Sequence, residues 1–286
     1  MKNTRISIIL IAFIILSGCK KENDVNLSGE GMIIDHTYKK LNTIPGEWIT
    51  AAKEKLHIAY GHTSHGSQIT DGVSGLTSFK GTDFSWNNGG ASGALDLHDY
   101  AISGDLGNPD RTSWAARTRI YLDANPDVNV IMWAWCGQVS DASKADIDTY
   151  FNLMEGLEND YTDVKFVYMT GHLDGTGLTG NLHLRNEQIR NFCLNNNKIL
   201  YDFADIESYN PDGVYFGNKK ANDACAYDSN GDGTHDSNWA VEWQNSHTLG
   251  IDWYNCSSAH SQPLNANQKA YAAWNLWTRL AGWDGK

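Results

Sequence analysis

Four short apolar runs recur along the chain: Leu56 to Tyr60, Val128 to Trp135, Val164 to Met169 and Lys198 to Phe203. Each is nearly continuous in hydrophobicity rather than alternating, the pattern of strands covered on both faces. Between them lie stretches of helical character, Arg111 to Asn125, Ala142 to Asp160 and Asn181 to Asn197. Strands alternating with helices predict an α/β fold with three layers, α/β/α, around a doubly wound parallel sheet. From Ala266 to Gly282, residues Ala270, Ala273, Trp274, Trp277 and Leu280 fall at helical spacing and predict a closing helix on the sheet. Two segments break the alternation. Residues 80–108 are rich in Gly, Asn and Asp, and residues 209–262 form a long, polar, Trp-studded insertion before the last helix. A loop of that length in a compact domain usually carries function or a small ligand site.

The amino end reads differently. Lys2 and Arg5 precede an apolar run from Ile6 to Leu16, followed by Leu16-Ser17-Gly18-Cys19. This is the pattern of a lipoprotein signal peptide over residues 1–18, with Cys19 lipidated, residues 19–30 as a tether and 31–286 as the α/β domain. Lys20, where an Asp would favour the inner membrane, makes the outer membrane the expected address, facing the periplasm or the surface. The full chain carries a formal charge of −12 and becomes two units more negative once Lys2 and Arg5 are removed. Such a surface repels nucleic acid. The membrane, through the Cys19 lipid, is therefore an expected partner and nucleic acid is not. Cysteines 136, 193, 225 and 256 sit in a compartment that permits disulfides. Cys225 and Cys256 bracket one irregular segment and are the first pair to expect, with Cys136 and Cys193 either bridged or buried as thiols.

In open parallel sheets the ligand crevice lies beyond the carboxyl ends of the strands. Just past the four runs stand His62, Ser64 and His65, then Cys136, Gly137, Gln138 and Ser140, then Thr170, Gly171, His172 and Asp174, then Asp202 and Asp205. Ser64, at a strand-to-helix turn in Tyr60-Gly61-His62-Thr63-Ser64-His65-Gly66, is a candidate nucleophile, although Ser is also an ordinary helix cap. His260, on the loop before the last helix, is a candidate base. The Ser64 amide, a glycine amide from Gly104 or Gly107 and the Gln138 carboxamide are candidate oxyanion donors.

This order of a strand and serine turn, the loop Gly104-Asp105-Leu106-Gly107-Asn108, a strand ending in an amide residue, and a late His resembles the SGNH/GDSL hydrolase superfamily from about Lys55 to Leu280. The resemblance implies a flavodoxin-like three-layer fold with Ser64 as nucleophile, His260 as base, Gly104 or Gly107 as the oxyanion glycine and Gln138 near the position of the oxyanion asparagine. It implies a carbohydrate esterase without a catalytic cofactor, removing an O-acyl group, acetyl being the first to expect, from a glycan, so that the expected partner is a polysaccharide or oligosaccharide substrate. His62, His65, His172, Asp174 and Trp243 would then bind substrate or orient the base. The chain departs from the pattern in three places: His62-Thr63-Ser64 replaces Gly-Asp-Ser, Gln138 replaces Asn, and Ser257 stands where the acid three residues before the base belongs. Asp252 or Asp205 is a spatial substitute for that acid. The alternatives are a non-catalytic glycan-binding protein on the same scaffold, or a lyase using the histidines.

Two metal readings stand beside this one. Asp228, Asn230, Asp232 and Asp236 occupy positions 1, 3, 5 and 9 of a calcium-type loop with Gly233 at the turn. Trp239 takes the place of the terminal bidentate acid, so a structural calcium site there would be incomplete. His62, His65, His172, Asp174, His247 and His260 are also a candidate transition-metal set. Of the insertion aromatics Trp239, Trp243, Trp253 and Tyr254, any exposed beside a cleft offers a face to a sugar ring, and any that is not belongs to a core.

Overall fold

A computed structural model describes residues 31–286. The signal peptide, the lipidated Cys19 and the tether expected over 1–30 lie outside the described residues. Among the described residues no helix is long and apolar enough to cross a membrane.

Seven strands form one sheet: β1 (Met32–Ile34), β2 (His57–Gly61), β3 (Trp86–Asn87), β4 (Leu95–His98), β5 (Val130–Trp133), β6 (Lys165–Met169) and β7 (Ile199–Tyr201). Their order is β1-β7-β6-β5-β2-β4-β3, and every pairing is parallel. The four apolar runs are the central strands β2, β5, β6 and β7, and the fold is the expected α/β type with helices flanking a parallel sheet. All four residues of β5 are buried, as a strand covered on both faces requires. Five helices lie between the strands: α1 (Gly46–Lys55), α2 (Ser67–Lys80), α3 (Ser113–Ala124), α4 (Lys144–Asp160) and α5 (Asn181–Asn195). Three more follow, α6 (Phe203–Glu207), α7 (Trp239–Ser246) and α8 (Pro263–Leu280). One layer is made where α8 packs against α1 and α2, the other where α4 packs between α3 and α5. The start of α4 is fixed by a reciprocal cap, Ser143 accepting from the Asp146 amide and Asp146 from that of Ser143.

Helix α2 is punctuated by glycines, which weaken a helix unless packing needs them. A Cβ on Gly72 would lie 2.2 Å from the Ala266 carbonyl oxygen of α8, and one on Gly75 would lie 2.7 Å from the Tyr254 ring. Gly72 lets α2 and α8 approach backbone to backbone, and Gly75 admits the Tyr254 ring and Cys256 from the segment before α8. Gly72→Ala is expected to push the two helices apart and cost about 3 kcal/mol, the upper range for overpacking, read as a lower urea midpoint.

The chain leaves β2 to one side for β4, then returns across it to β5, so loops diverge between β2 and β5. Such a switch point opens a crevice at the carboxyl edge. The register sets what meets there. Gly61 pairs with Trp133. Three residues further along each strand stand Ser64 and Cys136.

The insertion over 209–262 has its own small core, in which Phe216, Tyr227, Trp239, Trp243 and Leu264 pack together. It also contains an antiparallel pair of short strands, β8 (Ala226–Tyr227) and β9 (Ser237–Asn238). Among the described residues the four cysteines are free thiols, so the expected Cys225–Cys256 bridge is corrected. The two belong to different clusters: Cys225 is in the insertion core beside Ser261, while Cys256 packs against the main core beside Asn267.

Candidate active site

At the switch point, Cys136 follows β5 and is half-buried, with its Sγ 3.2 Å from Nδ1 of His65. The opposite ring nitrogen, Nε2, lies 2.9 Å from Oδ2 of Asp223, which reaches in from the insertion. A thiol, an imidazole and a carboxylate thus form one hydrogen-bonded line, with nucleophile, base and orienting group in order.

The charges follow from that line. The hydrogen bond from His65 holds the Cys136 thiol down at about 7 against the opposing effect of burial. Burial disfavours a charged His65, but hydrogen bonds to Asp223 and Cys136 outweigh it and raise the ring to about 9. Burial pushes the Asp223 carboxyl up, but the hydrogen bond to His65, the nearby His172 and His65 rings and the Ala224 amide together outweigh it and hold the group below the usual carboxylate range. Between these values the site rests as a thiolate beside an imidazolium, the reactive form of a cysteine.

Two more imidazoles cover His65. His172 stacks on it with ring centroids 3.7 Å apart and planes 6° from parallel, and His260 stacks at 4.6 Å. His172 donates Nδ1–H to the Leu173 carbonyl at 2.9 Å, which leaves Nε2 as a buried acceptor without a partner among the described residues. Burial, then the charge on His65, lower the pKa of His172 and keep it neutral.

Ser64 opens a single 3-10 turn, Ser64–Gly66, that runs into α2. Its Oγ lies 3.7 Å from Cys136 Sγ, and its amide and that of His65 are first-turn N–H groups, for which a helix has no acceptor of its own. The His260 ring has no hydrogen-bond partner among the described residues, and its backbone is in the left-handed region at φ 62°. Neither residue is joined to the other by a hydrogen bond; each is instead in contact with the Cys136–His65 pair.

Gln138 is engaged at both ends of its carboxamide, accepting from the Cys136 amide at 3.0 Å and donating to Asp105 at 2.6 Å. It shapes the cysteine turn. Asp105 also receives Thr63 Oγ at 3.2 Å, so the loop between Gly104 and Gly107 clasps the exits of β2 and β5 together. Gly104 adjoins the Arg117 guanidinium, and Gly107 lies under the Trp135 ring beside Gln138.

The remaining predicted binders scatter. His62 is buried against Asp99, with Nε2 2.7 Å from its carboxylate, and is capped by the exposed Tyr100 ring. Asp174 caps the Thr176 turn. One face of Trp243 is covered by His247 at 3.6 Å and its indole N–H goes to Asp212, so it offers the crevice no free platform. Asp223 was not distinguishable in the sequence, and Cys136 carried only the signal of standing at a strand exit.

His65, His172 and Asp223 have ligand-type atoms within 4.8 Å of one another. A metal ion lies in the plane of each imidazole that binds it, and two parallel stacked rings have no common point in their planes. One ion therefore cannot be shared without rotating a ring, and the wider histidine set does not assemble, since His62 and His247 are committed elsewhere. In the calcium-type loop, Asp228 accepts the Gly231 and Gly233 amides, Asn230 that of Asp232, Asp232 that of Thr234, and Asp236 that of Ser229.

A shallow depression of about 610 Å³ lies past the exit of β5, lined by Gly137, Gln138, Asp141 and the Gly107–Arg111 loop, and Cys136 itself is not part of its lining. A more enclosed cavity of about 400 Å³ lies beside α5, beyond Leu173 and Asp174, and none of Cys136, His65 and Asp223 lines it. No protein-family model matches this chain, and the searches of curated proteins and of solved structures return no match.

Proposed function

We propose that the protein is an acyl hydrolase in which Cys136, rather than Ser64, is the nucleophile. The observation that carries this reading is the unbroken line from Cys136 Sγ through His65 to Asp223, at 3.2 and 2.9 Å. The thiolate attacks the carbonyl carbon of an ester, forming a C–S bond and placing negative charge on the carbonyl oxygen. The Ser64 and His65 amides at the start of the helix are the nearest donors for that oxygen. As the intermediate collapses, the C–O bond to the leaving group breaks and His65 Nδ1 gives its proton to the departing alkoxide. Water then attacks the thioester with His65 as base, releasing the acid and restoring the thiolate. Asp223 holds the imidazole in the orientation both steps require.

The substrate we assign is an O-acyl ester of an envelope glycan. Its supports are the lipobox at Cys19 and the open depression lined by Gly137 and Gln138, the residues that follow Cys136 in the chain. A second reading keeps Ser64 as the nucleophile, favoured by its place at the helix start and its 3.7 Å approach to the thiol. One experiment separates the two. p-Nitrophenyl acetate is mixed with the full-length protein, quenched in acid, and the acetyl group located by peptide mass spectrometry. The expected result is a burst with acetyl on the Cys136 peptide; acetyl on the Ser64 peptide selects the serine reading, and no adduct with no turnover, repeated on acetylated polysaccharides, rejects both.

A further inference from the structure

Beneath the stacked imidazoles, Glu207 and Lys269 form an ion pair whose side chains are 1% and 0% exposed, with Nζ 2.6 Å from Oε2. Lys269 gives another N–H to Gln68 and rests its ammonium over the Phe203 ring, 3.6 Å from the centroid. Burying two charges in this way is a poor source of stability, since well-packed apolar residues of the same volume serve as well or better.

What the pair does is join separate loops. Glu207 Oε1 accepts the amide of Leu173, the residue after His172, and Oε2 receives Asn265 of α8 at 3.4 Å. Gln68 stands three residues beyond His65, and its Nε2 donates to the Ala259 carbonyl at 2.5 Å. The next residue, His260, is thereby held in its left-handed turn, a conformation non-glycine residues keep only where the surroundings determine it. Both ends of the network terminate next to the two rings that stack on His65.

We propose that the buried Glu207–Lys269 pair, working through Gln68, is a positioning device that holds His172 and His260 against His65 and so fixes the imidazole at Cys136. The proposal rests on the reading of Cys136 and His65 as the reacting pair. The charged and titratable groups facing His65 are Cys136, Asp223, His172, His260 and, from below, Glu207. Glu207 favours the imidazolium, so its loss should be felt at the thiol.

The test is the double exchange Glu207→Gln with Lys269→Met, which removes both charges together and leaves no unpaired ion buried, beside Gln68→Leu, which cuts only the link to Ala259. Iodoacetamide alkylation of Cys136, followed on its own peptide across pH, reads the thiolate directly, and p-nitrophenyl acetate hydrolysis reads kcat and KM. In the folded double variant the alkylation limb is expected to move to higher pH, with kcat at least tenfold lower and KM little changed; Gln68→Leu should do the same to a smaller extent. An alkylation profile identical to the parent's overturns the proposal, since a purely structural pair would leave it in place. If the double variant does not fold, Gln68→Leu decides alone by the same readout. Should the parent prove unable to hydrolyse any ester, the hydrolase reading fails, while the alkylation profiles still judge the positioning role.

Discussion

Cys136→Ala is expected to lower ester hydrolysis by about a thousandfold or more, the loss typical when a covalent nucleophile is removed from a triad-type site. No hydroxyl inherits the role, because His65 Nδ1 is bonded to Sγ and not to Ser64 Oγ. Ser64→Ala removes one weak contact to the thiol while keeping the helix-start amides, and a reduction of about tenfold or less is expected on the scale of a lost neutral hydrogen bond. Initial rates on p-nitrophenyl acetate and on acetylated polysaccharides measure both. A Cys136→Ala protein that retains most of its activity, paired with an inactive Ser64→Ala protein, would exchange the two roles.

The second large effect is on pH. The proposed hydrolysis would require Cys136 ionised, which occurs as pH rises through about 7, and His65 protonated, which is lost as pH rises through about 9. The rate should therefore trace a bell with its plateau near pH 8. Asp223→Asn deletes the carboxylate that favours the charged ring, so the alkaline limb moves down. A less charged His65 in turn stabilises the thiolate less, so the acid limb moves up. The bell narrows from both sides, and at the plateau kcat/KM should fall by about tenfold to a hundredfold, the range of a strong charge contact to a catalytic imidazole. Limbs that stay in place after Asp223→Asn would detach the insertion from the chemistry.

The sheet was legible because its four central strands are continuous apolar runs, a pattern that little else in a soluble domain produces. β3 and β4 were not, since Trp86–Asn87 and Leu95–His98 are short and set among glycines, with Asp96 buried in a strand where an apolar residue would be expected. The crevice was legible in outline. His65, Cys136, Ser64 and His172, all placed by the sequence just past strand exits, do gather there. Their roles were not, because role depends on which side chain meets which. Ser64 and Cys136 are equivalent by register, and only the direction of the His65 ring separates them. Asp223 comes from a segment with no periodicity, whose path is set by the packing of Phe216, Tyr227 and Trp239 rather than by local preference. Nor does a helical pattern show why Gly72 and Gly75 stand in α2, since the first makes room for the Ala266 backbone of α8 and the second for Tyr254 and Cys256.

β1 also bears on orientation. It runs parallel to β7, with Met32 opposite Ile199, so the chain enters the sheet at its amino edge. Cys136 stands at the carboxyl edge, beyond Trp133 of β5. Whatever precedes Gly31 is thus joined to the domain at the end opposite the thiolate, separated from it by the length of the strands, on the order of 17 Å for five residues. An anchor on that side and a polymer at the crevice would therefore occupy opposite edges of the sheet and not compete for the same surface.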